Sequence, residues 1–406
     1  MEADNQKPYG VIFSNISKDR HQHNRTFCIE ISEGFKQHGI DILELDYIRD
    51  VRQAMSALQD PNCLFFLCFN GFGSELLIHF APGDLRSAFD HYRKPLFDLM
   101  HDCPIHESMA HQIKSTGRYR TLLITDYSYA QISRLLGVHK VYAVSSITFP
   151  QVAAPGGKVI ADREIDVLLP IGLSSAQWTK ERFLDARNYK QRVYRDIFES
   201  VSENTVDNLE ADPLMEIFRA FQELQMPINF QDSDVRFLFT AVLDFVKFSR
   251  RDKLVSAIQH LPVTVISDVT PENLGEKSKL KLIGSRSFPS LIETMGNSKT
   301  VVCPLPHYSG FHERALAAFT AGATVIAAPN EILESHFIQG KEMLTYRSLE
   351  ELVSILEAVF AEGLDLQAIS VPGREKAMAQ FPPTRISDFV MSTLSSSRTA
   401  PATSTL

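Results

Sequence analysis

Short apolar runs alternate with amphipathic segments along the first 150 residues. The pattern predicts a strand at 9–15 (YGVIFSN) and a helix at 24–39, where Phe27, Cys28, Ile31 and Phe35 share one face and Gly39 is the stop. A second strand follows at 40–46 (IDILELD). The run at 63–70 (CLFFLCFN) is apolar throughout, as expected of a parallel strand covered on both faces. Runs at 95–100, 120–126 and 140–145 continue the series. Alternation of this kind implies a parallel, doubly wound sheet. Residues 150–163 (PQVAAPGGKVIADR) have the Pro and Gly content of a linker. The alternation restarts at 164–173, passes through a helical stretch over about 176–260 with a polar interruption near 203–212, and resumes with strands at 262–268, 279–284, 299–305 and 323–328. The expected fold is α/β: two Rossmann-like doubly wound domains facing across a cleft, with a helical insertion (about 176–250) in the second. The expected bounds are 1–155 and 160–375, then a helix at 376–394 packing back and a low-complexity, disordered tail at 395–406.

A chain of 406 residues is long enough for two such cores. A net charge of −8 gives no electrostatic reason to expect nucleic acid as a partner. The opening MEADNQKPYG is too polar and acidic for a secretory signal, and the apolar run at 63–69 is too short to span a bilayer. The five cysteines are scattered, odd in number and without a CxxC pair. They read as small core hydrophobes in a reducing cytoplasm, not as a disulfide framework or a metal site.

Residues 299–322 hold the densest candidate chemistry. A buried strand leads into a loop, and a helix opens at Phe311 or His312, runs to about Ala321 and stops at Gly322. The backbone N–H groups of Ser309 to Glu313 then lie at a helix N-terminus at the carboxyl end of a strand, a position suited to a diphosphate. His312 and Arg314 can add charge-assisted hydrogen bonds. Glu313 either favours the helix dipole or accepts hydrogen bonds from a ribose diol. The same pattern also fits a capped amphipathic helix with a solvated polar end.

Other candidates lie at strand ends in the first domain. His101 and Asp102, with His106 close in sequence, follow the strand at 95–100. They suit a general base, or equally an N-cap at Asp102 beside a surface histidine. Asp126 reads as a helix cap. Asn70, Gly71 and Gly73 follow the most apolar strand and read either as ligand-lining backbone or as a tight turn. Asp232-Ser233-Asp234 has D-x-D spacing but precedes a helix, so an N-cap is the simpler reading than a metal site. His21 and His23 read as solvated loop residues, and Trp178 as part of the helical insertion. No metal is expected.

Gly310, His312, Arg314, Ala321-Gly322-Ala323, Phe337, Gly340, Glu342, Tyr346 and Glu350-Glu351-Leu352 follow one another over 284–358 in a recognisable order. Together with the segments at 163–172 and 251–268, they resemble the C-terminal domain of the two-Rossmann (GT-B) glycosyltransferases, in particular the bacterial "glycosyl transferases group 1" type related to CgeB-like proteins. The likeness runs over roughly 160–380; before 150 only KPLFDLMHD at 94–102 resembles the family. It implies a glycosyltransferase that takes a nucleotide diphosphate sugar, UDP-type, as donor, with an unknown acceptor and no metal or other cofactor. The donor-binding set it implies is Ser309, Gly310, His312 and Arg314 for the diphosphate, Gly284, Ser285 and Arg286 for the base, and Gly172. His101 and Asp102 would supply the base, and Asn70, Gly71 and Gly73 the acceptor side. One position departs: Ala317 stands where related enzymes carry a Glu on the ribose, and Glu313, one turn earlier on the same face, is placed to replace it. A nucleotide-sugar 2-epimerase and a catalytically inactive nucleotide- or sugar-binding protein of this fold are the alternatives.

Overall fold

The strands predicted from continuous apolar runs form two separate parallel sheets, each in its own unit. The computed structural model describes residues 7–14, 19–81, 84–106, 109, 117–153, 158–177, 180–181, 188–269, 275, 277–304, 309–310 and 312–399. One unit comprises Met1–Asp102, His111–Val152 and Met378–Leu406; the other comprises Cys103–Ala110 and Ala153–Ala377.

In the N-terminal unit the elements are β1 (Tyr9–Phe13), α1 (His23–Lys36), β2 (Asp41–Leu45), α2 (Val51–Gln59), β3 (Cys63–Phe69), β4 (Leu77–Ala81), β5 (Asp84–Ser87), α3 (Ala88–Tyr92), β6 (Leu96–Met100), β7 (Arg120–Ile124), α4 (Tyr127–Leu135) and β8 (Val141–Ala143). The sheet order is β2-β1-β3-β6-β7-β8, and every pairing is parallel. The antiparallel β4–β5 hairpin is an addition that the strand–helix alternation does not announce. Phe27, Ile31 and Phe35 of α1 are wholly buried, as their spacing requires. Phe13, Phe66 and Phe89 form the adjoining core. Gly73 has φ +94°, and a Cβ there would stand 2.6 Å from the Phe13 ring. Its glycine therefore serves a tight, packed turn.

The C-terminal unit contains β9 (Ile165–Pro170), α5 (Tyr189–Val206), α6 (Pro213–Glu223), α7 (Ser233–Ile258), β10 (Thr264–Ile266), β11 (Lys281–Ile283), α8 (Phe288–Gly296), β12 (Ser298–Cys303), α9 (Glu313–Thr320), β13 (Thr324–Ala327), α10 (Glu331–His336), β14 (Leu344–Thr345), α11 (Leu349–Phe360) and the start of α12 (Leu366–Gln380). Its sheet order is β11-β10-β9-β12-β13-β14, again parallel. Right-handed crossovers to opposite sides of β9 put α7 on one face and α8 and α9 on the other. The helices α5, α6 and α7 fill the stretch between β9 and β10, and each opens on a side-chain cap: Asn188, Asp212 and Asp232. Trp178 lies outside the described residues.

The chain returns to the N-terminal unit along α12 and ends in α13 (Thr384–Thr399). This last helix packs on α1, with His38 Nε2 2.8 Å from Asp388 Oδ1. Residues 395–399, expected to be disordered, complete α13 instead; the rest of the expected tail lies outside the described residues. Among the described residues no helix is long and apolar enough to cross a membrane. The five cysteines are buried free thiols.

Candidate functional site

In the C-terminal unit, β12 delivers the chain to the sheet's carboxyl edge, and α9 starts there. His312 is the N-cap: its Nδ1 accepts from the backbone N–H of Arg314 at 3.3 Å. Its ring also lies 3.4 Å from Glu313 Oε2. As a cap acceptor Nδ1 carries no proton, so in the neutral ring the N–H is at Nε2. Protonation of Nδ1 would exchange the cap for an ion pair with Glu313. All of Ala315–Thr320 is buried, and Gly322, at φ +72°, turns the chain into β13. The opening of the helix therefore stays polar because only His312, Glu313 and Arg314 are outside the packed interior. Asn330, after β13, fixes the preceding loop from the side. Its Nδ2 donates to the Gly310 carbonyl at 2.9 Å while its Oδ1 caps α10.

The carboxyl end of β9 meets this helix opening. Arg314 Nη1 donates to the Pro170 carbonyl at 3.2 Å. Arg251, from α7, donates through Nη1 to the Gly172 carbonyl at 2.6 Å and is 8% exposed. Burial, and secondarily the charge of Arg314, lowers the Arg251 pKa to about 9, which still leaves it cationic at neutral pH. Among the described residues neither guanidinium is ion-paired with a carboxylate. Two partly desolvated cations and a helix N-terminus thus converge on one sheet edge, an arrangement that favours an anion. Gly172 is exposed, and its carbonyl anchors Arg251.

Gly284, Ser285 and Arg286 lie exposed at the carboxyl end of the edge strand β11. Space around Gly284 is open, so no close backbone approach there depends on glycine. Position 317 is fully buried, so a carboxylate there would sit inside the packed face of α9, whereas Glu313 is only partly buried.

The N-terminal unit brings most of its candidates into one cluster. Asn70 holds a left-handed conformation at φ +48°. Its Oδ1 accepts from the backbone N–H groups of His101 at 2.9 Å and Asp102 at 3.4 Å. Its Nδ2 donates to Asp102 Oδ2 at 2.9 Å. Gly71 N–H donates to Asp98 Oδ1 at 2.8 Å, and the buried Asp98 pairs with Arg120. The His101 ring packs 4.7 Å from Phe27 and 5.7 Å from His23. Two expectations change here. No helix starts at Asp102, so it is not a helix cap; its carboxylate is oriented by Asn70. His23 is half-buried against Phe27, not a solvated loop residue.

Elsewhere the sequence candidates take structural roles. His106 belongs to the C-terminal unit and sits 3.3 Å from Asp244 Oδ2. Asp126 caps α4. Asp232 caps α7, and Lys190 bridges Asp232 and Asp234 at 2.6 and 2.9 Å. Among the described residues no group of three His, Cys, Asp or Glu side chains could hold a metal ion. Arg251 is the residue the sequence did not point to. Its only local signal is an Arg-Arg pair inside the helix pattern at 235–258.

Residues 250–391 match the family model described as glycosyl transferase-like. No curated protein sequence matches the chain. The structure is similar to sucrose-phosphate synthase from Thermosynechococcus elongatus, at 11% identity over 97% of this chain and 100% of that one, with a TM-score of 0.54. It is similar to a mutant of T4 phage BGT in complex with UDP-glucose, at 6% identity over 95% and 99% of the two chains, with a TM-score of 0.50. A third similar structure is Anabaena HepE in complex with UDP-glucose, at 12% identity over 95% and 99%, with a TM-score of 0.49. The first two establish the fold as GT-B.

Proposed function

We propose that this GT-B glycosyltransferase binds a nucleotide diphosphate sugar, UDP-type, on its C-terminal unit and transfers the sugar to an acceptor hydroxyl without a metal. The observation that carries the reading is the pair of cations beside the N-terminus of α9, the buried Arg251 and the half-buried Arg314, neither ion-paired with a carboxylate among the described residues. A sugar diphosphate diester carries two negative charges, and two guanidiniums offset them. When the glycosidic bond breaks, charge builds on the leaving diphosphate, and fixed cations in a desolvated site stabilise it most at that moment. This is the work a divalent metal performs in other sites. The Ser309, Gly310 and His312 segment supplies N–H donors, and His312 Nε2–H adds one more. Glu313 takes the ribose hydroxyls in place of a carboxylate at Ala317, and Gly284, Ser285 and Arg286 flank the base. In the N-terminal unit, His101 and Asp102 receive the acceptor proton, and Asn70 fixes their backbone and the Asp102 carboxylate. The UDP-glucose bound by Anabaena HepE and by the phage protein is consistent with a UDP-type donor.

Calorimetric titration of UDP tests the assignment. Arg251→Ala and Arg314→Ala should each weaken binding by about 1.5–3 kcal/mol, the usual loss for a hydrogen bond to a charged group. Unchanged affinity in both folded variants would remove the pair from the site. A panel of nucleotide sugars assayed for transfer, hydrolysis and epimer formation then distinguishes a transferase from an epimerase or an inactive binder.

A further inference from the structure

A second pocket lies within the C-terminal unit, on the α7 side of the sheet. It is a narrow pocket that opens to solvent. Its floor is Pro304, Ala328 and Tyr346, which follow β12, β13 and β14. Its walls are apolar: Leu243, Val246 and Leu254 of α7, with Leu209 and Leu349 opposite.

The polar groups in this apolar pocket are unbalanced. Lys247 is neutralised by Asp244 at 2.6 Å. Among the described residues Arg250 is not ion-paired. It donates through Nε and Nη2 to the carbonyls of Thr205, Asn208 and Ala211, closing the C-terminal end of α5. Its Nη1 makes no hydrogen bond among the described residues. The Asp212 carboxylate attracts Arg250 through space while its oxygen caps α6. Arg251 adds a second guanidinium, whose Nη1 donates to the Gly172 carbonyl. Burial lowers the pKa of Arg250 to about 10 and of Arg251 to about 9, which leaves both charged. Tyr346 is 1% exposed, and its hydroxyl has no partner among the described residues. A hydroxyl without a hydrogen-bond partner and two largely desolvated guanidiniums, Arg251 buried and Arg250 half-buried, gain from a ligand that completes them.

We infer that this pocket binds a small organic anion, an apolar body bearing a carboxylate or phosphate group. The anion lies on Arg250 Nη1 and Arg251, Tyr346 donates its hydroxyl to it, and the leucine walls take the body. The pocket shares Arg251 with the proposed UDP site but not Arg314 or the α9 opening, so the two readings fail separately.

The test is calorimetry on the full chain with benzoate, phenyl phosphate and the neutral benzyl alcohol. Benzoate or phenyl phosphate should saturate at one per chain, and benzyl alcohol should bind at least about tenfold more weakly, as befits loss of charged hydrogen bonds. The tighter of the two anions identifies the head group. Tyr346→Phe should weaken the anion about fivefold. Leu209→Trp, which fills the mouth, should abolish binding with the circular dichroism spectrum unchanged. Arg314→Ala should weaken UDP and leave benzoate binding in place. Benzyl alcohol binding as well as benzoate would overturn the proposal, as would anion affinity insensitive to both pocket variants, anion binding lost with Arg314→Ala, or no saturable anion binding at millimolar concentration. The wild-type comparison of charged and neutral probes decides the matter even if a variant does not fold.

Discussion

Glu30→Gln should make this protein more stable at pH 8 and change it much less at pH 5. Glu30 sits in α1 with no exposed surface. Its Oε1 accepts from the backbone N–H groups of Gln151 at 2.9 Å and Val152 at 3.1 Å, just before the chain leaves the N-terminal unit. Burial raises its pKa from 4.5 to about 7, outweighing the two N–H donors that pull it down. The raised value means that, between about pH 4.5 and 7, the folded chain holds a proton that the unfolded chain has released. Stability from this group is therefore fully present below about pH 4.5, falls as pH rises through 7, and is level above that. A shift of about 2.5 units corresponds to roughly 3 kcal/mol. Glutamine keeps an oxygen for both N–H groups and never ionises. Urea unfolding at the two pH values should show the variant gaining about 2–3 kcal/mol more over wild type at pH 8 than at pH 5. A constant difference between variant and wild type across that range would refute the reasoning, because it would place no ionisation penalty at Glu30.

Three further substitutions probe the turns and the two candidate clusters. Asn70→Ala removes the bonds to His101 and Asp102 and should lower turnover in a transfer assay while UDP affinity stays within twofold; equal turnover would detach the cluster from the chemistry. Gly73→Ala places a Cβ against Phe13 at a left-handed φ and should cost about 2–4 kcal/mol in urea unfolding; a loss below about 1 kcal/mol would mean that the turn relaxes. Glu313→Gln should abolish any preference for UDP over its 2′-deoxyribose analogue with little change in melting temperature, whereas a preference retained by the variant would return Glu313 to a helix-dipole role.

The parallel sheets were legible in the sequence because strands buried on both faces must be apolar throughout, as Cys63–Phe69 is. The opening and stop of α9 were legible for a local reason: a cap side chain and a left-handed glycine act within a few residues of their own positions. What the sequence hid is nonlocal. Arg251 reaches the Gly172 carbonyl across 79 positions of chain, and nothing near it in sequence shows that its charge is buried. Asn70 binds His101 and Asp102 because β3 and β6 are neighbours in the sheet, a fact of topology that no spacing rule supplies. His106, only four residues past Asp102, belongs to the other unit. The β4–β5 hairpin is not announced because its short strands lack sharp apolar–polar alternation. The α13 helix outran expectation because serine-rich composition disfavours helix only weakly when an apolar face is docked, and Ile386 and Val390 are buried.

The central claim is that Arg251, Arg314 and the α9 N-terminus hold a diphosphate without a metal, and calorimetry of uridine, UMP and UDP in the presence of EDTA tests it most directly. The account predicts affinity rising steeply with each phosphate, UDP exceeding UMP by at least about tenfold, and no gain when magnesium replaces EDTA. UDP binding that required a divalent cation, or equal affinity for UDP and UMP, would contradict it.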